Sequence, residues 1–141
     1  MKITSRFTIA IQTMLCIAAF SKDRKVTSNF IAGSTNVNPV IIRRLIGQLK
    51  EAGLVEVKAG VGGTKIKKDL SDITLLDIFN AIQAVEENFF NFHMNPNCDC
   101  PLGKNIHTIL DSHLNEIQEA MTDKMKSKTL QMLFDETKQY I

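Results

Sequence analysis

NVNPVIIRRLIGQLKEAGLVEVKAGVGGTKIKK, residues 36–68, holds the choice of fold for this chain. Asn38 before Pro39 opens a helix: the Asn side chain can cap a free amide, and Pro suits the first helical position, where its missing N–H costs nothing. Ile42, Leu45, Ile46 and Leu49 recur at helical spacing and mark an inward face. Arg43, Arg44, Gln48 and Lys50 are left to look outward. Gly53 ends the helix, because Gly supplies the left-handed backbone wanted just past a C-terminus. Residues 54–57 then read as a strand, Gly60-Val61-Gly62-Gly63 as a tip and residues 64–67 as the returning strand. A capped helix with an outward cationic face, followed at once by a basic hairpin, is the pattern of a surface that meets duplex DNA.

Upstream, Phe7, Ile11, Met14, Leu15 and Ala18 recur at three- and four-residue steps, which predicts a core helix over 5–20 with Ser5 as its cap. Thr27 suits the cap of a second short helix holding Phe30, Ile31 and Ala32. Gly33-Ser34-Thr35-Asn36 follows as a tight turn, Asn tolerating the left-handed conformation better than most residues. Two short helices across such a turn, with a hairpin next, predict a winged helix-turn-helix. Downstream, Ser71 or Thr74 caps another helix, with Asp77 three residues after Thr74 as in a capping box. Leu75, Ile78, Phe79, Ile82 and Val85 give that helix its apolar stripe. Residues 86–97 break the pattern with Phe89, Phe90, Phe92, His93 and Pro96. From Gly103 onward, Ile106, Leu110, Leu114, Ile117 and Met121 alternate steps of four and three, the spacing of a coiled-coil dimerisation seam. The run covers about two to three heptads, so packing against its own fold competes with pairing to a second chain. Leu130, Leu133, Phe134 and Ile141 suggest a last helix.

The expected fold is therefore mainly α with a small β-hairpin wing. A winged helix-turn-helix DNA-binding region occupies 1–85, a linker and candidate sensor loop 86–102, and dimerisation helices, the first of them long, 103–141.

The totals agree with that division. A chain of 141 residues makes one domain with room for a modest core. Its net charge of +2 hides an asymmetry: residues 1–68 carry 12 Lys/Arg against 3 Asp/Glu, and residues 69–141 carry 5 against 12. The basic half suits nucleic acid, whereas the acidic half would repel phosphates and must have another job. Three cysteines form no disulfide framework and favour a reducing compartment, here the cytoplasm. Lys2 and Arg6 ahead of the apolar run at 7–20 imitate a signal peptide. Gln12 and Thr13 interrupt that run, and it is too short to span a bilayer, so no membrane partner is expected. No glycine loop precedes a helix and no catalytic constellation has persuasive spacing, so no enzyme is expected.

These residues together resemble the Rrf-type bacterial transcription regulators, which include the iron–sulfur assembly regulator, the nitric-oxide-sensitive repressor and the cysteine-metabolism repressor. Met1-Lys2-Ile3-Thr4-Ser5-Arg6, Ala10 and Met14-Leu15 match the family's start in register, as do Ile31, Leu45, Leu49, Ala52-Gly53-Leu54-Val55 and Gly62-Gly63. Asp77-Ile78, Ala81-Ile82 and Cys100-Pro101-Leu102-Gly103 continue the likeness over nearly the whole chain. The resemblance implies a homodimer, its long helix crossing to the partner, that binds a pseudo-palindromic operator and represses transcription.

There are departures. Lys58, Ala59 and Thr64 stand where the family's wing usually has Arg-Gly and Tyr, and Ile41 and Arg43-Arg44 replace a frequent Tyr and Glu-Gln pair. Arg reads guanine O6 and N7 bidentately whereas Glu accepts from cytosine N4, so the target should differ from that of the cluster-binding members. Those members carry three cysteines before the dimer helix. This chain has Cys98 and Cys100 there, with His93 and His107 nearby. A cluster usually takes four ligands, mostly thiolates, and Cys-x-Cys is tighter than common zinc spacing, so an iron–sulfur cluster is disfavoured and no cofactor or metal is expected. Cys98 and Cys100 are instead candidate redox thiols, Cys100 lying near a helix start that favours thiolate, with two inert loop cysteines as the plainer reading. Cys16 belongs to the core.

The residues expected to meet DNA are Ser5, Arg6, Asn38, Pro39, Ile41, Arg43, Arg44, Gln48, Lys58, Gly62, Gly63 and Lys65, with Lys67 and Lys68 joining the wing lysines as phosphate clamps. Alone, Arg43 and Arg44 would read as a solvated helix face and Ser5 as a cap. The alternative function is a winged-helix protein-interaction module whose basic face serves an acidic partner.

Overall fold

Side chains set where most of the helices begin. In the computed structural model, which describes residues 5–58, 63–83, 90 and 93–141, Thr27 accepts from the Phe30 amide at 3.2 Å and Asn38 from the Val40 amide at 2.9 Å. Thr74 and Asp77 complete the capping box in both directions, at 3.1 and 2.9 Å, and Thr129 accepts from the Met132 amide at 3.2 Å. These caps open α2 (Ser28–Thr35), α3 (Pro39–Glu51), α4 (Leu75–Ala81) and α6 (Leu130–Thr137). α1 spans Ser5–Phe20, and α5, Pro101–Lys126, starts with its proline at the first position. A single 3-10 turn at Leu70–Asp72 leads into α4. The fold is a winged helix: six helices with one two-stranded antiparallel sheet among the described residues.

The turn between α2 and α3 is held by Asn36, at φ +57°, whose amide closes on the Ala32 carbonyl. α3 ends in a Schellman motif: Gly53 takes φ +78°, its amide reaches the Lys50 carbonyl, and the Leu54 amide reaches the Leu49 carbonyl at 3.0 Å. That bond shifts the wing by one residue. The Leu54 amide belongs to the helix end, so β1 begins at Val55 and runs Val55–Lys58, paired with β2, Gly63–Ile66. The expected strands, 54–57 and 64–67, are thus each displaced by one. Of the tip expected at 60–63, Gly63 instead opens β2; residues 60–62, the opening residues 1–4, Val85 of the expected helix stripe and most of the linker aromatics lie outside the described residues.

The wing is rooted on the body. The Thr64 amide donates to the Val26 carbonyl at 3.0 Å, and the Lys67 amide to the Leu54 carbonyl at 3.0 Å. Gly63 makes this approach possible: at φ +68°, a Cβ there would stand 2.8 Å from Lys25 Cγ and 3.0 Å from the Val26 carbonyl oxygen. Gly63→Ala should therefore lower stability by about 1–2 kcal/mol, from backbone strain plus the displaced contact. A lower urea midpoint at unchanged slope is the expected result, and an unchanged midpoint would show that the root yields freely.

One core takes fully buried side chains from all the helices except α5. Met14 and Ile17 of α1, Ile31 of α2, Ile42, Leu45 and Leu49 of α3, Ile78 of α4 and Leu130 of α6 are fully buried together with Val26, Val55 and Ile73. Each such aliphatic side chain contributes on the order of 1.5–3 kcal/mol of transfer free energy. Leu130 brings α6 into the same core as α1 to α4, although residues 103–141 read from sequence as a unit of their own. Its amide donates to the Ile73 carbonyl at 2.7 Å, and the Leu75 amide donates to the Lys128 carbonyl at 2.9 Å.

α5 is different. It has 26 residues, about 39 Å of helix, and none of them is buried. Leu114 and Met121 are half-buried, with Met121 and Met125 packed on the body's core. On the outer side Leu102, Ile109 and Ile117 are 68%, 51% and 51% exposed, and Ile106 and Leu110 flank them. The seam expected at Ile106, Leu110, Leu114, Ile117 and Met121 is therefore divided: Met121 faces its own fold, and the open stripe runs through Leu102 and Ile109. No helix among the described residues is long and apolar enough to cross a membrane.

Candidate nucleic-acid interface

The outer face of α3 is built by elimination. Ile42, Leu45, Ile46 and Leu49 are buried, so the helical period turns Val40, Arg43, Arg44, Gly47 and Lys50 to the opposite side, all of them exposed. No carboxylate of a described residue forms an ion pair with Arg43, Arg44, Lys58 or Lys65. The cationic face is thus available to an external anion. Val40 is 54% exposed and Ile41 38% exposed at the first turn, where an apolar side chain can meet a thymine methyl. In the sequence Val40 looks like one more core aliphatic; its place off the Ile42–Leu45–Leu49 stripe is what leaves it exposed.

Gly47 lies at the centre of this face, with nothing within 4 Å of where its Cβ would be. An exposed mid-helix Gly costs up to about 1 kcal/mol relative to Ala. Gly47→Ala should raise Tm by a few degrees, roughly 3–5 °C. An unchanged Tm by calorimetry would show that the helix gains nothing from a methyl at this position.

Other expected contacts occupy different places. Lys58 and Lys65 are exposed on the wing strands, Asn38 is exposed at the cap, Pro39 is half-buried and Gly63 is buried at the wing root. Gly62 lies outside the described residues. Ser5 is exposed in the first turn of α1, where its carbonyl accepts from the Thr8 hydroxyl at 2.9 Å. Arg6 is half-buried and donates to the Ile82 carbonyl at 2.7 Å, so its guanidinium ties α1 to the end of α4. Gln48 is half-buried too, and its Oε1 is buried without a partner among the described residues.

The loop before α5 carries Cys98 and Cys100, both free and exposed, whereas Cys16 is buried in the core. Cys100 is the N-cap residue of α5. Its neutral thiol makes no capping hydrogen bond, yet the amides of Gly103 and Leu102 favour the thiolate and hold the thiol below its ordinary pKa. The Cys100 thiolate therefore persists to lower pH than an ordinary exposed thiol, so its alkylation should stay fast at a pH where that of a small free thiol such as N-acetylcysteine has slowed. Iodoacetamide trapping across pH on the Cys98→Ser variant measures it; a profile matching the free thiol would count against the effect. His107 is engaged on both ring nitrogens, by Asp111 at 3.1 Å and by the His93 carbonyl at 3.1 Å.

Residues 3–136 match the Rrf2 family, described as iron-dependent transcriptional regulators. The chain belongs to the Rrf2 family. YwnA of Bacillus subtilis (strain 168), provisionally named an HTH-type transcriptional regulator, is 44% identical over 91% of this chain and 93% of its own. The crystal structure of a provisionally named DNA-binding protein superposes with a TM-score of 0.71 at 38% identity, covering 90% of this chain and 97% of that one. CymR, the global cysteine regulator of B. subtilis, shares the fold with a TM-score of 0.69 at 21% identity over 96% and 97% of the two chains. The family consists of transcriptional regulators rather than enzymes, and this chain is a DNA-binding regulator.

An iron–sulfur cluster usually takes four ligands, mostly thiolates, and the loop of this Rrf2 chain offers two cysteines, Cys98 and Cys100, with His107 hydrogen-bonded to Asp111 and to the His93 carbonyl. Among the described residues no three His, Cys, Asp or Glu side chains come together in an arrangement that could hold a metal ion.

Proposed function

We propose that this Rrf2 protein is a homodimeric, sequence-specific repressor that binds a pseudo-palindromic operator and works in the cytoplasm, where the DNA is. The observation that carries the reading is the exposed α3 face, with Arg43 and Arg44 unpaired by any described carboxylate and the basic wing following it in the chain. In this reading α3 enters the major groove, Arg43 and Arg44 read guanines, and Val40 and Ile41 sense thymine methyls. Lys58 and Lys65, with Lys67 and Lys68, hold phosphates or reach into the minor groove, and Ser5 touches the backbone. The outer stripe of α5 supplies the pairing that spaces two such readers along one duplex.

The signal proposed for release is oxidation of Cys98 and Cys100. The lowered pKa of Cys100 and its place at the start of the proposed pairing helix support this, since a change there reaches the spacing of the two readers. Selecting bound fragments of the host genome with reduced and with oxidised protein tests both parts. Enrichment of a common palindromic motif by the reduced protein is the expected result. Failure to enrich any motif would favour a protein-interaction module instead, and identical enrichment after oxidation would remove the thiol switch while leaving the repressor.

A further inference from the structure

A cleft of about 500 Å³ opens on the side of the body where the end of α1, the outgoing strand of the wing and α6 meet. Its floor is apolar: Ile66, Leu70 and Phe134 are half-buried, and Ile66 and Leu70 pack on the core beneath. Its rim is cationic. Lys22 comes from the end of α1, Lys65 from β2 and Lys68 from the segment after the wing, and all three are exposed. Asp69 is the one carboxylate in the lining, and it forms no ion pair with any of these lysines. A positive rim above an apolar floor selects an anion carried on an apolar body. The size is that of an ordinary small-molecule site.

We propose that this cleft binds a small organic acid, whose carboxylate is held by Lys22, Lys65 and Lys68 and whose apolar part lies on Ile66, Leu70 and Phe134. Binding has a consequence for the regulator, which rests on the DNA-binding reading of the wing lysines. Lys65 and Lys68 occupied by a bound carboxylate are withdrawn from phosphate, so the ligand releases DNA by competing for the same charges. Each phosphate contact contributes about 0.9 to the slope of log K against log salt; losing two per protomer costs at least about tenfold in affinity near physiological salt.

The probe is 4-phenylbutyrate, tested on the full-length protein by amide-resolved NMR titration, with 4-phenylbutan-1-ol and inorganic phosphate as comparisons. Saturable shifts at residues 22, 65–70 and 134 with a Kd of about 1 mM or tighter, and at least tenfold weaker binding of the alcohol, are expected. Lys22→Glu, which lies outside the proposed DNA contacts, should weaken the acid roughly threefold to tenfold. Phe134→Ala should weaken acid and alcohol alike. An unchanged circular dichroism spectrum shows that each variant is folded, and Lys22→Glu keeps the test decisive if Phe134→Ala is not. Absence of saturation, shifts confined to α5, or phosphate binding as well as the acid would each overturn the proposal, the last by making the cleft a seat for DNA backbone. A second arm adds saturating 4-phenylbutyrate to the protein–operator complex and reads anisotropy against salt. Unchanged affinity and slope in the presence of bound acid would overturn the competition. Because the first arm needs no DNA, its failure and a failure of the repressor reading can be told apart.

Discussion

Ile109→Glu combined with Ile117→Glu is expected to give a folded monomer whose affinity for a two-half-site operator is roughly 10²- to 10⁴-fold weaker than wild type. The argument starts from α5. It contributes no buried residue within its own chain, yet shows Leu102, Ile109 and Ile117 more than half exposed along one side. A contiguous apolar stripe of this kind on a helix marks an interaction surface, and the proposed partner is the same stripe on a second copy. Glutamate at its centre would have to be buried without a counter-charge, and an unpaired carboxylate in an apolar interface costs several kcal/mol. Neither isoleucine belongs to the body's core, so the protomer itself should keep its fold.

The loss on DNA follows from tethering. In a dimer the second reader binds at an effective concentration in the millimolar range, and a monomer forgoes that advantage whatever its own contacts. Sedimentation analysis and anisotropy on one- and two-half-site duplexes provide the measurement. A variant that remains dimeric, or a monomer that binds the full site as tightly as wild type, would sink the assignment of this stripe. Met121→Glu is the contrast: it should lower stability, because Met121 packs on the protein's own core.

Much of the body was legible because its signals are local. Asn38-Pro39, Thr27 and the Thr74–Asp77 pair each place a side chain within reach of an amide two or three residues on, so spacing alone identifies the helix start. Asn36 and Gly53 took the left-handed backbone for the same reason. What escaped depends on distant partners. The guanidinium of Arg6 finds a carbonyl 76 residues away, at Ile82, and no sequence spacing announces such a bond. The one-residue offset of the wing came from the Leu54 amide, which both a strand and a Schellman motif can use, and the helix end took it. α5 misled in another way. It carries two apolar sides, one through Leu114, Met121 and Met125 and one through Leu102, Ile109 and Ile117, and a heptad drawn across both cannot say which meets the body. That question is settled by where Lys128 and Leu130 are stitched to Leu75 and Ile73.

Arg43→Ala and Lys58→Ala should fail in different ways, and the difference separates base reading from charge. Both residues are exposed and neither is paired with a described carboxylate, so the free protein should lose little stability in either variant. A guanidinium set bidentately on guanine is worth about 1–3 kcal/mol of discrimination, or roughly 5- to 150-fold per half-site. A symmetric dimer carries the substitution twice, so Arg43→Ala should weaken the preferred operator by about 2–6 kcal/mol while non-specific binding changes far less. Arg44→Ala should relax preference at a different base pair. Lys58→Ala removes a phosphate charge: every duplex weakens together, and the slope of log K against log salt becomes shallower by about 0.9 per lysine, near two for the dimer. The comparison requires the operator, a version changed at one base pair, and unrelated duplex, each titrated at several salt concentrations. Should Arg43→Ala lower affinity for all three equally, with the slope reduced as for Lys58→Ala, Arg43 is a phosphate clamp. The unusual arginine pair of this chain would then say nothing about which sequence it selects, and the burden of reading would fall on Val40, Ile41 and Arg44.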